Sequence, residues 1–298
     1  MHYANIVVGN QATTCNQPLR INDKNVGFLI APLMGHCCFK QSSNRKAWCL
    51  TFFEGSSFER TITIFFQDDP DRLTDPKALW IDTRMQSAHH VHEERASQFL
   101  RGSNTKRVDE AICRNQNMRL LVDRENMVLL SNNRERYERI ILCQALAIAY
   151  KDALSTCMLE LTECIKSNDE TRLITLYENM LRFNAADYFS HPIDQQKSHE
   201  LFNIWEQLSK HWRLNELRQE LTAQLADVAN LIKEQRSKQE QEVHRQWQET
   251  LQEKDRGFNR KAIFISVVVT TLSLLTLFQL TPDTFIAFWS SWTSIFSK

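Results

Sequence analysis

Glycine and proline are scarce in this chain, with six of each in 298 residues. Between residues 103 and 256 there is one proline, Pro192, and no glycine. These two residues are the main interrupters of helices, so that stretch excludes a turn-rich β architecture and predicts long helices. A net charge is also missing, because 36 basic side chains face 36 acidic ones. That balance excludes a simple nucleic-acid binder, which would carry a basic excess. It also excludes an acidic disordered chain. The eight cysteines form no CxxC pair, and no Asn-x-Ser/Thr acceptor occurs. The Met1 end lacks the charged-then-apolar run of a signal peptide. Free thiols in a reducing, cytosol-facing soluble part are therefore expected. No phosphate-cradling glycine loop, GxSxG or kinase signature is present, so an enzyme is not the first expectation, and no cofactor is expected.

The first hundred residues hold most of the breakers and most of the β-type runs. Asn5–Val8, Val26–Ile30, Trp48–Phe53, Thr61–Phe66 and Leu79–Ile81 are short, β-branched or aromatic, and bounded by turn residues. Glu54-Gly55-Ser56-Ser57 suits a hairpin between the third and fourth. Leu120–Val122 and Met127–Leu130 suggest another around Asp123–Asn126. A mixed α/β domain is expected over residues 1–133. From Arg134 the period changes: Tyr137, Ile140, Ile141, Ala145, Ile148, Leu154 and Met158 fit one helix face. Ser167–Glu170 reads as a break with capping residues before a second helix. After Pro192 an apolar series runs from Leu201 to Ile232, with 214, 217, 221, 228 and 232 close to a heptad seam. Lys233–Glu242 has no apolar residue, which fits either a solvated helix or a polar bundle between subunits. Val243, Trp247 and Leu251 then resume one face. Residues 134–258 are expected to form a helical hairpin and a stalk, the stalk about 90 Å long if 196–256 is one helix.

The membrane domain is expected at 259–298. Ala262–Leu280 carries no charge over about 28 Å of helix, close to a bilayer core of roughly 30 Å. Arg256, Arg260 and Lys261 precede it and only Asp283 follows, which places residues 1–261 in the cytosol of a cell whose inner membrane holds the tail. Within the span, Ser266, Thr270 and Ser273 share one face, with Asn259 on the same line. Two readings stand: hydroxyls bonded back to their own helix, or a polar seam that packs against helices or lines a pore. Residues 284–297 form a second, shorter hydrophobic helix, either interfacial or spanning. Arg260, Lys261, Trp289 and Trp292 are the expected interface anchors, in contact with lipid.

Three clusters have ligand-type composition. In His89-His90-Val91-His92-Glu93-Glu94, His90 and Glu94 suit a transition metal at i, i+4, although a solvated histidine-rich turn is the expected form. His36-Cys37-Cys38 is expected as a buried pair of thiols, since adjacent residues seldom chelate one ion. Asp68-Asp69-Pro70-Asp71 offers oxygen ligands yet is ordinary turn composition. No metal site is expected from any of them.

The order of sheet domain, helical hairpin, long helix, basic collar and C-terminal span resembles the CorA-type family of divalent-cation channels. Leu79-Trp80-Ile81-Asp82 looks like a strand motif of that family's cytosolic domain. Gln279-Leu280-Thr281-Pro282-Asp283 stands where the family carries Gly-Met-Asn. The resemblance implies a homopentamer whose first span lines an axial pore and whose stalk transmits a cytosolic signal from an activating ligand or protein. One branch is similar in use to CRISPR-associated, nucleotide-gated antiviral effectors. A membrane-anchored coiled-coil scaffold is the competing expectation.

Overall fold

A computed structural model describes residues 1–9, 14–69, 73–84, 89–105, 110–115, 118–278, 283, 286–287 and 289–290. The side chains at 89–90, 114–115, 255–257, 275 and 277–278 lie outside that description. The chain divides into two compact units, Met1–Asn230 and Leu231–Lys298.

The first unit opens with strand β1 (His2–Val8), β2 (Cys15–Pro18) and a small ladder of β3 (Arg20–Ile21) with β4 (Lys24–Asn25). A short helix α1 (Ala31–Met34) leads to β5 (Cys37–Ser42), β6 (Ala47–Phe52), β7 (Arg60–Gln67) and β8 (Lys77–Asp82). Then come helix α2 (His89–Arg101) and strands β9 (Cys113–Asn115), β10 (Met118–Asp123) and β11 (Asn126–Ser131). Nine strands form one mixed sheet in the order β2-β5-β6-β7-β1-β8-β11-β10-β9. Both expected hairpins form: β6 pairs with β7 in the register Trp48↔Ile64, and β10 with β11 in the register Leu120↔Leu129. The β8–β11 pair is parallel, Trp80 facing Leu129, while the other ladders are antiparallel.

Parallel strands need both faces covered, and the alternation in β8 and β11 supplies two apolar faces. Leu79, Ile81, Val128 and Leu130 pack with Ala96 and Leu100 of α2. On the other face Trp80 stacks on Tyr137 at 6.3 Å between ring centres, and the Tyr137 hydroxyl donates to the Ala78 carbonyl at 3.1 Å. Tyr137 belongs to α3 (Arg134–Ser167), which is followed by α4 (Glu170–Ala186) and α5 (His199–His211). Helix α3 starts where Asn133 accepts from the Glu135 amide and stops where Asn168 turns left-handed at φ 53°. Asp169 then accepts from the Arg172 amide and starts α4. Among the described residues one helix is long and apolar enough to cross a membrane, α3, and 78% of its most apolar window is buried. It is the central helix of this unit's core. Phe53, Tyr150, Phe183, Tyr188 and Trp205 meet beside it as a ring cluster.

Four expectations are corrected here. Val26–Ile30 is not a strand; only Leu29 makes an isolated bridge, to Ile193, before α1 begins. The stalk is not one helix from 196: Arg213 adopts φ 53°, which ends α5 and starts α6 (Leu214–Phe278). The seam in α6 is in part covered within the chain, because Leu214 and Leu221 are fully buried and Leu217 and Val228 half-buried. The cysteines are not all free, since Cys15 and Cys49 are disulfide-bonded with their Cα atoms 6.1 Å apart. The β2–β5 ladder shifts register between Cys15, which pairs with Ser42, and Gln17, which pairs with Gln41.

In the second unit α6 continues to Phe278. Beyond Ile232, which is buried, its described apolar side chains are uncovered: Val243, Trp247, Leu251 and Phe258, then Ile263 through Leu274.

Candidate functional site

The polar line expected along the span lies on one unbroken helix. Asn259, Ser266, Thr270 and Ser273 are all in α6 and all exposed, as are Arg260 and Lys261. At 100° per residue the four polar residues fall within an arc of about 60°. The hydroxyls are not idle. Thr270 Oγ1 donates to the Ser266 carbonyl at 2.7 Å and Ser273 Oγ to the Val269 carbonyl at 2.8 Å. Thr271, on another face, bonds the Val267 carbonyl in the same way. The hydroxyls of Thr270, Thr271 and Ser273 therefore satisfy their protons within the helix and keep lone pairs to present outward. Trp289 is exposed and sits beside Ser290 in helical residues, while Trp292 and Asp71 lie outside the described residues.

The ligand-type clusters of the first unit resolve differently. His89–Arg101 is a helix rather than a turn, and His92 is buried, at 4% exposure, because it shares a face with Ala96 and Leu100 toward the sheet. Among the described residues neither His92 ring nitrogen has a hydrogen-bond partner. Glu93 lies 3.7 Å from Arg119. The described residues bring together no group of three or more metal-ligating side chains. Asp68 lies 3.3 Å from His2. Cys37 and Cys38 open β5 and are half-buried rather than hidden. Burial pushes the Cys37 thiol up to about 12, so it is a poor nucleophile at neutral pH.

One pairing was invisible in the sequence. His36 Nδ1 lies 2.6 Å from Oδ1 of Asp187, a carboxylate that is almost wholly buried. The backbone around Asp187 is held as well: the Tyr150 hydroxyl donates to its carbonyl at 2.9 Å and accepts from the Phe189 amide at 3.2 Å. The Trp205 indole donates to the Ser190 carbonyl at 2.8 Å. These bonds fix the segment between α4 and α5 against α3. The His36 partner is 151 residues away, so no local pattern could have announced it.

A polar cavity of about 480 Å³ lies where Arg20, Gln41, Arg45 and Trp48 meet the start of α3. Two of its arginines are committed, Arg45 to Asp23 at 2.8 Å and Arg134 to Glu138 at 3.2 Å. Burial raises the Glu138 carboxyl above its ordinary value, with Arg134 pulling the other way.

No protein-family model matches the chain, and no curated protein or solved structure does either.

Proposed function

We propose that this chain is a homo-oligomeric integral membrane protein that conducts ions, controlled from its sheet-bearing unit in the manner of CorA-type channels. The observation that carries the reading is the exposure of α6 beyond Lys261, where the expected span Ala262–Leu280 runs on past the described residues. Ile263, Phe264 and Ile265 are successive residues, at 63%, 69% and 61% exposure, so bare apolar surface covers most of the helix circumference. Val267, Val269, Leu272 and Leu274 extend it. Leaving such side chains in water costs roughly 1–2 kcal/mol each, on the order of 10 kcal/mol in all. One partner helix would cover a stripe, whereas a bilayer covers every side. The basic pair Arg260 and Lys261 sets the preceding residues on the cytosolic side.

In this proposal the line Asn259, Ser266, Thr270 and Ser273 faces the oligomer axis and offers uncharged oxygen atoms to hydrated ions. Neither a metal cofactor nor a catalytic residue is required. Topology is tested with Gln239→Cys, an exposed position in α6, reacted with a bulky maleimide on intact cells. Protection until permeabilisation is expected, and modification of intact cells overturns the orientation. Cys143 cannot serve as the reporter, because it is buried and its thiol is pushed up to about 12 by that burial. Conduction is tested by ion flux in proteoliposomes, where Thr270→Leu should block and Thr271→Leu should not.

A specific observation favours a second reading, the membrane-anchored scaffold. The hydroxyls of Thr270, Thr271, Ser273 and Thr276 are all bonded to their own helix, so these members of the segment need neither a pore nor a partner. Equal behaviour of the two leucine variants, or no flux from the parent protein, selects it.

A further inference from the structure

The chain's charges balance overall, but two arginines in one cavity are left without acids. The cavity, of about 530 Å³, is walled by three parts of the first unit. Arg124 and Glu125 come from the β10–β11 turn, Lys151 from α3, and His211, Trp212 and Arg213 from the junction of α5 with α6. Glu125 and Lys151 neutralise each other at 2.5 Å, and Asp75 at the rim is paired with Lys77 at 3.2 Å. Among the described residues no carboxylate pairs with the guanidinium of Arg124 or Arg213. Elsewhere in the unit arginines are mostly engaged, as in Arg60–Asp152, Arg101–Asp123 and Arg136–Glu200.

The backbone adds a second observation at the same two residues. Arg124 has φ 51° and Arg213 φ 53°, in the left-handed region that favours glycine or asparagine. The Trp212 indole donates to the Arg124 carbonyl, which ties the two turns together. Arginine at both places brings two cationic residues to the lining of one cavity, which the half-buried Trp212 also lines.

We infer that this cavity binds a soluble small molecule carrying two or more phosphate groups. Two unpaired guanidiniums suit several phosphate oxygens at once, since each presents a planar set of donors. The volume is far larger than one phosphate needs and falls within the range of small-molecule sites. The Trp212 ring offers an apolar wall for the rest of the ligand. Such a ligand bridges the sheet, through Arg124, to the residue immediately before α6, through Arg213. The inference deepens the channel reading and rests on it for its purpose: the ligand is the cytosolic signal, and the root of α6 is where it is felt. The binding itself stands apart from conduction.

The probe is inorganic tripolyphosphate, titrated calorimetrically into the full chain in non-ionic detergent. Arg124→Gly and Arg213→Gly are the test variants, because glycine prefers the observed φ and should leave the fold intact. Each should weaken binding about tenfold or more, the loss expected for a charge-assisted contact. Arg45→Ser, in the cavity beside Trp48, should bind as the parent does. Hydrogen exchange over residues 214–225 should slow with tripolyphosphate in the parent and not in the glycine variants. Absence of binding at millimolar probe, or glycine variants that bind as well as the parent, overturns the inference. Capture by vesicles of phosphorylated lipid through the same arginines, with none of soluble tripolyphosphate, overturns the soluble-ligand assignment. Arginine-dependent binding in a protein that passes no ions under any condition keeps the site and defeats the channel.

Discussion

Helix α6 belongs to both units, and its side chains have opposite surroundings in the two. In Met1–Asn230, Leu221 and Leu225 are 0% and 1% exposed. In Leu231–Lys298, Val243 and Trp247, on the same kind of three-and-four spacing, are 66% and 62% exposed. An apolar periodicity identifies a helix face but not what covers it. Toward its start α6 is covered by its own chain. Toward its end it carries apolar surface that its own described residues leave bare.

The largest test of this contrast pairs one substitution from each region. Leu225→Asp should cost about 4 kcal/mol or more, because it buries a carboxylate without a partner, and chemical denaturation followed by circular dichroism measures it. Trp247→Asp should leave that transition in place and change only the oligomer mass in detergent. A large loss of fold stability from Trp247→Asp would erase the distinction. A smaller effect sharpens the picture of the first unit. Tyr150→Phe removes the hydroxyl shared by the Asp187 carbonyl and the Phe189 amide and should cost about 1–3 kcal/mol. Asp169→Ala removes the cap of α4 and should cost about 1 kcal/mol, again in the first transition alone.

The smallest effect is one of pH. The folded Glu138 carboxyl lies above its ordinary value because of burial, so the folded state holds that proton more tightly than the unfolded state. Stability then falls as pH rises from about 4.5 through the folded value, and the penalty is complete once pH is well above that value. Glu138→Gln should flatten this decline, measured as denaturation midpoints at pH 5 and 7.5. An unchanged pH slope would show that Arg134 already cancels the burial effect.

Elements whose partners are close in sequence were legible, and those assembled from distant parts were not. The β6–β7 and β10–β11 hairpins follow from adjacent runs with turn residues between them. The start of α3 at Asn133 and its stop at Asn168 follow from local chemistry. The parallel pairing of β8 with β11 joins strands with a helix and two other strands between them, so only the two-faced apolar pattern hints at it. The α5–α6 break escaped notice because His211-Trp212-Arg213-Leu214 contains neither glycine nor proline; the left-handed turn falls on an arginine. The same fact hid the cavity, whose basic residues come from 124, 151, 211 and 213. The line from Asn259 to Ser273 was legible as geometry, since one helix face needs only spacing. What that face meets depends on molecules outside the chain.

The position of β1 sets an order of assembly. It precedes the sheet's other described strands in the chain, and it lies between β7 and β8, joining β2-β5-β6-β7 on one side to β8-β11-β10-β9 on the other. Ile6 must wait for Ile64, and Tyr3 for Leu79, before either edge of β1 is paired. During synthesis the strand therefore leaves the ribosome with both edges open, while each half of the sheet can form its own hairpins locally. The two halves become one sheet only when they close on a strip that was waiting for them. A nascent chain halted before residue 60 carries an unpaired central strand, and such chains are where chaperone dependence and edge-to-edge association should concentrate.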